Sequence, residues 1–111
     1  MGRVLEVCVD SVESAASAAR GGATRLELCA NLVIGGTSPD EDLFHMVRER
    51  VDIPIRVLLR PRFGDFLYSE EEFELLRRQV RRFSALGADG VVIGVLRPDG
   101  ALDEPRMAEL I

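Results

Sequence analysis

The chain contains no lysine. All 14 of its basic residues are arginine, set against 19 acids, for a formal net charge of −5. An acidic balance of this kind does not track a phosphate backbone, so nucleic acid is not expected as a partner. The missing lysine is read as coding bias rather than chemistry. Cysteine and histidine are also scarce, with two and one in 111 residues. Two cysteines do not staple a secreted disulfide scaffold. No apolar run approaches the roughly 20 residues that cross a bilayer. The N-terminus lacks the basic patch, apolar stretch and small-residue cleavage site of a secretory signal. A cytoplasmic protein with free thiols and no membrane partner is expected.

What is present is a regular alternation of strand and helix. Val4–Val9 reads as a first strand. Asp10 with Glu13 then caps an Ala-rich helix that stops at Gly21-Gly22. Arg25–Ala30 is a second strand, followed by a loop from Asn31 to Thr37. Ser38, Pro39 and Glu41 predict a capping box for a helix running to about Arg50. Ile55–Arg60 is a third strand, and Pro61 to Tyr68 a loop rich in charge and aromatics. Ser69 with Glu72 caps a third helix, whose Phe73, Leu76, Val80 and Phe83 recur at helical spacing until Gly87. Val91–Val95 is a fourth strand, and Asp103 caps a helix from Pro105 onward. Gly22-Ala23-Thr24 and Gly87-Ala88-Asp89 form a weak repeat before the second and fourth strands. Repetition of this kind favours a parallel sheet with helices outside it.

Side chains alternate along a strand. Glu6 and Cys8 share one face of the first strand; Arg25, Glu27 and Cys29 share one face of the second; Arg56, Leu58 and Arg60 share one face of the third. The opposite faces are wholly aliphatic. The aliphatic face belongs under the helices, and the ionisable face cannot, because unpaired buried charge is costly. Parallel sheets rarely leave a face to solvent. The lumen of a (β/α)₈ barrel meets both demands, with Glu6 and Glu27 able to pair with Arg56 or Arg60, and with Cys8, Cys29 and Arg60 near the mouth. Such barrels take about 250 residues. The expected fold is therefore α/β: residues 1–111 as a single domain of parallel (β/α) repeats, the N-terminal half of a (β/α)₈ TIM barrel. It would hold four βα units, the last helix cut off. A doubly wound open sheet is the alternative.

Five segments, in order, resemble the CutC copper homeostasis family: Leu5-Glu6-Val7-Cys8-Val9-Asp10-Ser11; Arg25-Leu26-Glu27-Leu28-Cys29; Gly35-Gly36-Thr37-Ser38-Pro39; Arg60-Pro61-Arg62-Phe63-Gly64-Asp65-Phe66; and Gly87-Ala88-Asp89-Gly90-Val91. The resemblance implies a (β/α)₈ barrel of roughly twice this length, a cytoplasmic homo-oligomer, and a role in copper handling. It matches Cys8 and Cys29 to the cysteines proposed to bind copper in the family. Phe63 stands where the family usually has glycine, and the family's later histidine-containing strand has no counterpart here.

Three groups of side chains are candidates for chemistry. Cys8 and Cys29, on neighbouring strands about 4.8 Å apart, can hold a soft monovalent ion such as Cu(I) between thiolates. They can equally be small buried hydrophobes, and a disulfide is a third option. Glu6, Glu27 and Arg60 read either as an acid–base and anion-binding cluster at the barrel mouth or as a structural ion-pair network. Arg60 and Arg62, beside Gly64, can grip a phosphate or carboxylate, while Asp65 is expected to pair an arginine and Phe66 and Tyr68 to pack the loop. His45, on a helix, is expected at the surface. Three functions follow: copper binding through Cys8 and Cys29, an enzyme acting on a small anionic metabolite, or a fragment that survives only by pairing with a second copy.

Overall fold

The computed structural model describes residues 2–111. Four short strands, β1 (Glu6–Val9), β2 (Arg25–Leu28), β3 (Ile55–Leu58) and β4 (Gly90–Val92), alternate with helices α1 (Val12–Arg20), α2 (Glu41–Arg50), α3 (Glu70–Ala85) and α4 (Glu104–Leu110). All neighbouring strands are parallel, in the order β1-β2-β3-β4. Consecutive βα units laid side by side make a sheet of the TIM-barrel type. The doubly wound alternative is set aside, since its strand order reverses partway.

The aliphatic faces form the core as expected. Leu26, Leu28, Ile55, Val57 and Leu59 are buried beneath the helices with Phe44, Val47, Phe73, Leu76 and Phe83. Each of these large apolar side chains contributes about 1.5–3 kcal/mol on burial. The other face carries Glu6, Cys8, Glu27, Arg56, Leu58 and Val92, none of them buried.

Several boundaries differ from the sequence reading, each for a local reason. β1 begins at Glu6, not Val4, because the Leu5 amide and carbonyl are taken by Thr24 in a turn-like contact. The cap of α1 is Ser11 rather than Asp10, and Ser14 rather than Glu13 closes the box. Asp10 instead accepts from the Leu32 amide. The cap of α2 is Asp40, whose side chain accepts from the Leu43 amide at 2.8 Å. Ser38 is diverted: its hydroxyl accepts from the Arg60 amide and donates to Gln79, tying the end of β3 to α3. The capping box Ser69–Glu72 and the Asp103 cap form as expected.

Candidate metal centre

Cys8 and Cys29 do not lie opposite one another. The register pairs Cys8 with Glu27 and Glu27 in turn with Arg56. Cys29 falls two residues beyond Glu27, just past β2, where its amide still donates to the Val9 carbonyl at 2.8 Å. The two cysteines are thus on neighbouring strands, as read from the sequence, but staggered along them. The sulfurs converge nonetheless: one donor atom from each of Cys8, Glu27 and Cys29 lies within 4.8 Å of the others. Cys29 is buried and Cys8 exposed, so the group opens to one side only.

The loop after β2 explains the burial of Cys29. Ala30 and Thr37 exchange backbone hydrogen bonds of 2.8 and 2.7 Å, which folds the loop back on itself. Gly36 then passes under Cys29 with φ +91°, and a Cβ there would sit 2.9 Å from Leu58 Cδ2 and 3.7 Å from Cys29 Cβ. Only glycine fits this close approach and this backbone conformation.

The electrostatics of the group favour neutral donors when no cation is near. Burial is the main cause that pushes the Cys29 thiol well up, with the Glu27 charge adding to it. Burial first, then Glu27 and Glu6, raise Cys8. Glu27 is raised by burial and by Glu6, while a hydrogen bond from Cys29 opposes the rise. The Cys29 thiol reaches the Glu27 carboxylate at 3.6 Å. Three donors that each resist carrying negative charge gain most from a cation placed among them.

The other candidates sit elsewhere. Glu6 pairs with Arg25, its register partner, at 2.5 Å, rather than with Arg56 or Arg60. Arg56 forms no ion pair among the described residues; its side chain lies over Gly90, where no Cβ blocks it. Arg60 is buried, donating to the Gly36 carbonyl at 2.8 Å and the Gly64 carbonyl at 2.6 Å, with its guanidinium over the Phe66 ring. Its Nε is buried with no partner. Arg62 is held by Glu72, Asp65 and the Leu67 carbonyl. The expected loop role of Asp65 thus matches its contacts, as does the packing of Tyr68, buried edge-on to Phe66. His45 is exposed on α2. Sequence reasoning placed Glu27 with the acid–base cluster and missed that its carboxylate lies beside the two sulfurs. The Glu-x-Cys spacing, which puts both side chains on one face, was the available signal.

Comparison with known proteins bears on the family and the fold. The sequence profile of the CutC family matches residues 3–111. The copper homeostasis protein cutC homolog of Homo sapiens is 50% identical over 110 residues, which are 99% of this chain and 40% of that protein. The Mus musculus homolog is 48% identical over the same span. A CutC family protein of Xanthomonas campestris is 50% identical over 107 residues, covering 45% of its length. Among solved structures, a Streptococcus agalactiae chain described as a CutC copper homeostasis protein superposes with a TM-score of 0.86 at 26% identity, covering 98% of this chain and 54% of that one. An N-acetylmannosamine-6-phosphate 2-epimerase from Clostridium perfringens shares the fold alone, with a TM-score of 0.53 at 19% identity. The chain spans about half the length of the relatives it matches. On its sequence and its strand-by-strand architecture alike, it belongs to the CutC family.

Proposed function

We propose that this chain carries Cu(I) as cargo, held by the thiolates of Cys8 and Cys29 with the Glu27 carboxylate as a third donor. The convergence of three donor atoms within 4.8 Å carries the reading. At a metal–sulfur distance of about 2.3 Å, taken from zinc–thiolate sites, one ion touches two sulfurs up to roughly 4.6 Å apart. A small side-chain adjustment therefore closes the site. Thiolates select soft ions such as Cu(I). The names of the relatives, which associate them with copper homeostasis, point the same way. The chemistry of this reading is binding and buffering of the ion.

The same reading makes residues 1–111 one domain of four βα units working in a reducing cytoplasm, where both thiols stay available, and as part of a homo-oligomer. Among the described residues no helix is long and apolar enough to cross a membrane. The small-anion enzyme gains nothing from this arrangement. Arg62 already spends its donors on loop carbonyls and carboxylates, and Arg60 is buried with its two terminal nitrogens on the Gly36 and Gly64 carbonyls.

Anaerobic titration of Cu(I) against a chromophoric chelator tests the proposal. Cys8→Ser and Cys29→Ser are each expected to weaken binding by at least about tenfold to a hundredfold, the range known for partners even one shell further out. Unchanged affinity in the double variant would remove these ligands from consideration.

A further inference from the structure

Two thiols within 4.8 Å of each other have a second fate, which is oxidation to a disulfide. We infer that this pair does not take it: the register that seats Glu27 beside Cys8 keeps the two cysteines too far apart along the sheet, so the site is a metal clamp that resists oxidative closure. The inference rests on the copper reading for its purpose, though not for its geometry.

Cys8 and Glu27 are Cα partners. Cys29 lies two residues, about 6.6 Å, further along a strand about 4.8 Å to the side. The Cys29–Val9 ladder bond shows that this parallel spacing persists past the end of β2. The two cysteine Cα atoms are therefore about 8 Å apart, whereas a disulfide requires about 7 Å or less. A metal ion spans the remaining gap with two bonds of about 2.3 Å. A single sulfur–sulfur bond of about 2.05 Å cannot span it unless a strand moves. β2 is pinned, and β1 is tied to it along its inner edge. β2 is bonded to β1 on one side and β3 on the other. Cys29 is further locked from below by Gly36 and by the Ala30–Thr37 bonds.

Closure by a small disulfide such as glutathione disulfide would need two steps. The Cys8 thiolate, the exposed one, attacks one glutathione sulfur, forming a mixed disulfide and releasing one glutathione thiolate. Cys29, losing its proton, would then attack the Cys8 sulfur and release the second glutathione thiolate. Two protein thiols would be oxidised and one glutathione disulfide reduced. The register blocks the second step. Oxidation then stops at a mixed disulfide on Cys8, which excess glutathione reverses.

The test incubates the metal-free 111-residue chain with glutathione disulfide, quenches with acid, alkylates and reads products by mass. The native chain is expected to show no internal disulfide, only a glutathione adduct at Cys8. The same chain in urea, freed from its register, is expected to close more than about tenfold faster. The variant Glu27→Cys with Cys29→Ser places a thiol at the register partner of Cys8, and it is expected to close in the native state. An internal Cys8–Cys29 disulfide forming as fast in the native chain as in urea overturns the inference. So does failure of the folded double variant to close, which would show that register is not the cause. Loss of Cu(I) binding with the thiols still open would remove the copper reading and leave this inference standing. Closure with Cu(I) binding intact in the reduced chain would do the reverse.

Discussion

Burial pushes the Cys29 thiol and the Glu27 carboxylate up together; the Glu27 charge adds to the rise at Cys29, while the hydrogen bond from Cys29 opposes the rise at Glu27. Cys8 follows for the same reasons at a more open position. The donors are thus protonated more readily than free side chains, and a bound cation must displace those protons. Affinity for Cu(I) is therefore expected to rise with pH through and above neutrality. The dependence should approach about two decades per pH unit when both thiols release a proton. Competition titrations at a series of pH values check this, and a flat profile would mean that the thiols are not ligands. The signs for stability follow from the same shifts. A carboxyl raised on folding favours the native state at low pH and loses that contribution as pH rises, so the Glu27 charge opposes folding at neutral pH. Glu27→Gln is expected to raise the melting temperature of the metal-free chain while weakening its copper binding. A melting temperature that falls would show that the carboxylate is needed for the fold.

At the scale of elements, α3 and the loop before it hold the mouth of the sheet together. Ser69 caps the helix, and Glu72 closes the box while also receiving Arg62. Arg62, first through its hydrogen bonds, holds the Glu72 carboxyl down at about 2, well below its ordinary value of 4.5. A carboxyl depressed on folding stabilises the native state above its unfolded pKa and loses that contribution as pH falls through the native one. The loop from Arg60 to Ser69 is therefore expected to loosen between about pH 4.5 and 2, ahead of the sheet, by hydrogen exchange. Ser69→Ala removes the cap and is expected to cost about 1 kcal/mol in urea unfolding. An unchanged midpoint would show that the helix end is held by Arg62 and Glu72 alone. These contacts also explain why Arg60 is drawn into the fold. Its guanidinium bridges the loops after β2 and β3 through Gly36 and Gly64.

The whole molecule is an open four-stranded sheet with helices packed on its aliphatic face. Its radius of gyration is 14.3 Å, above the roughly 13 Å of a compact chain this long. Both edge strands, β1 and β4, run parallel and have one unpaired side, and the inner face exposes Leu58 and Val92 in part. Val4, Leu5 and Ile111 add exposed apolar side chains. Unpaired edges of this kind recruit another strand. The isolated 111-residue chain is expected to associate with a second copy, and light scattering at rising concentration should report a mass above 12.3 kDa. A compact monomer at all concentrations would contradict that expectation.

The alternation of strand and helix, the aliphatic face and the ionisable face were legible from residue order, because periods of 2 and 3.6 are local properties of the chain. So were the caps at Ser69 and Asp103, where no residue distant in sequence claims the capping side chain. Ser38 was misread because its hydroxyl is claimed by Arg60 and Gln79, residues distant in sequence. Arg60, read as an anion-binding residue or an ion-pair partner of Glu6 and Glu27, is instead a loop bridge for the same reason. By itself the sequence determined that two cysteines and two glutamates share one face of two neighbouring strands. Only the tertiary structure decided the register, which sets Glu27 rather than Cys29 beside Cys8. Strand alternation fixes which face a side chain takes, whereas its height along the neighbouring strand depends on the loops and helices that join them.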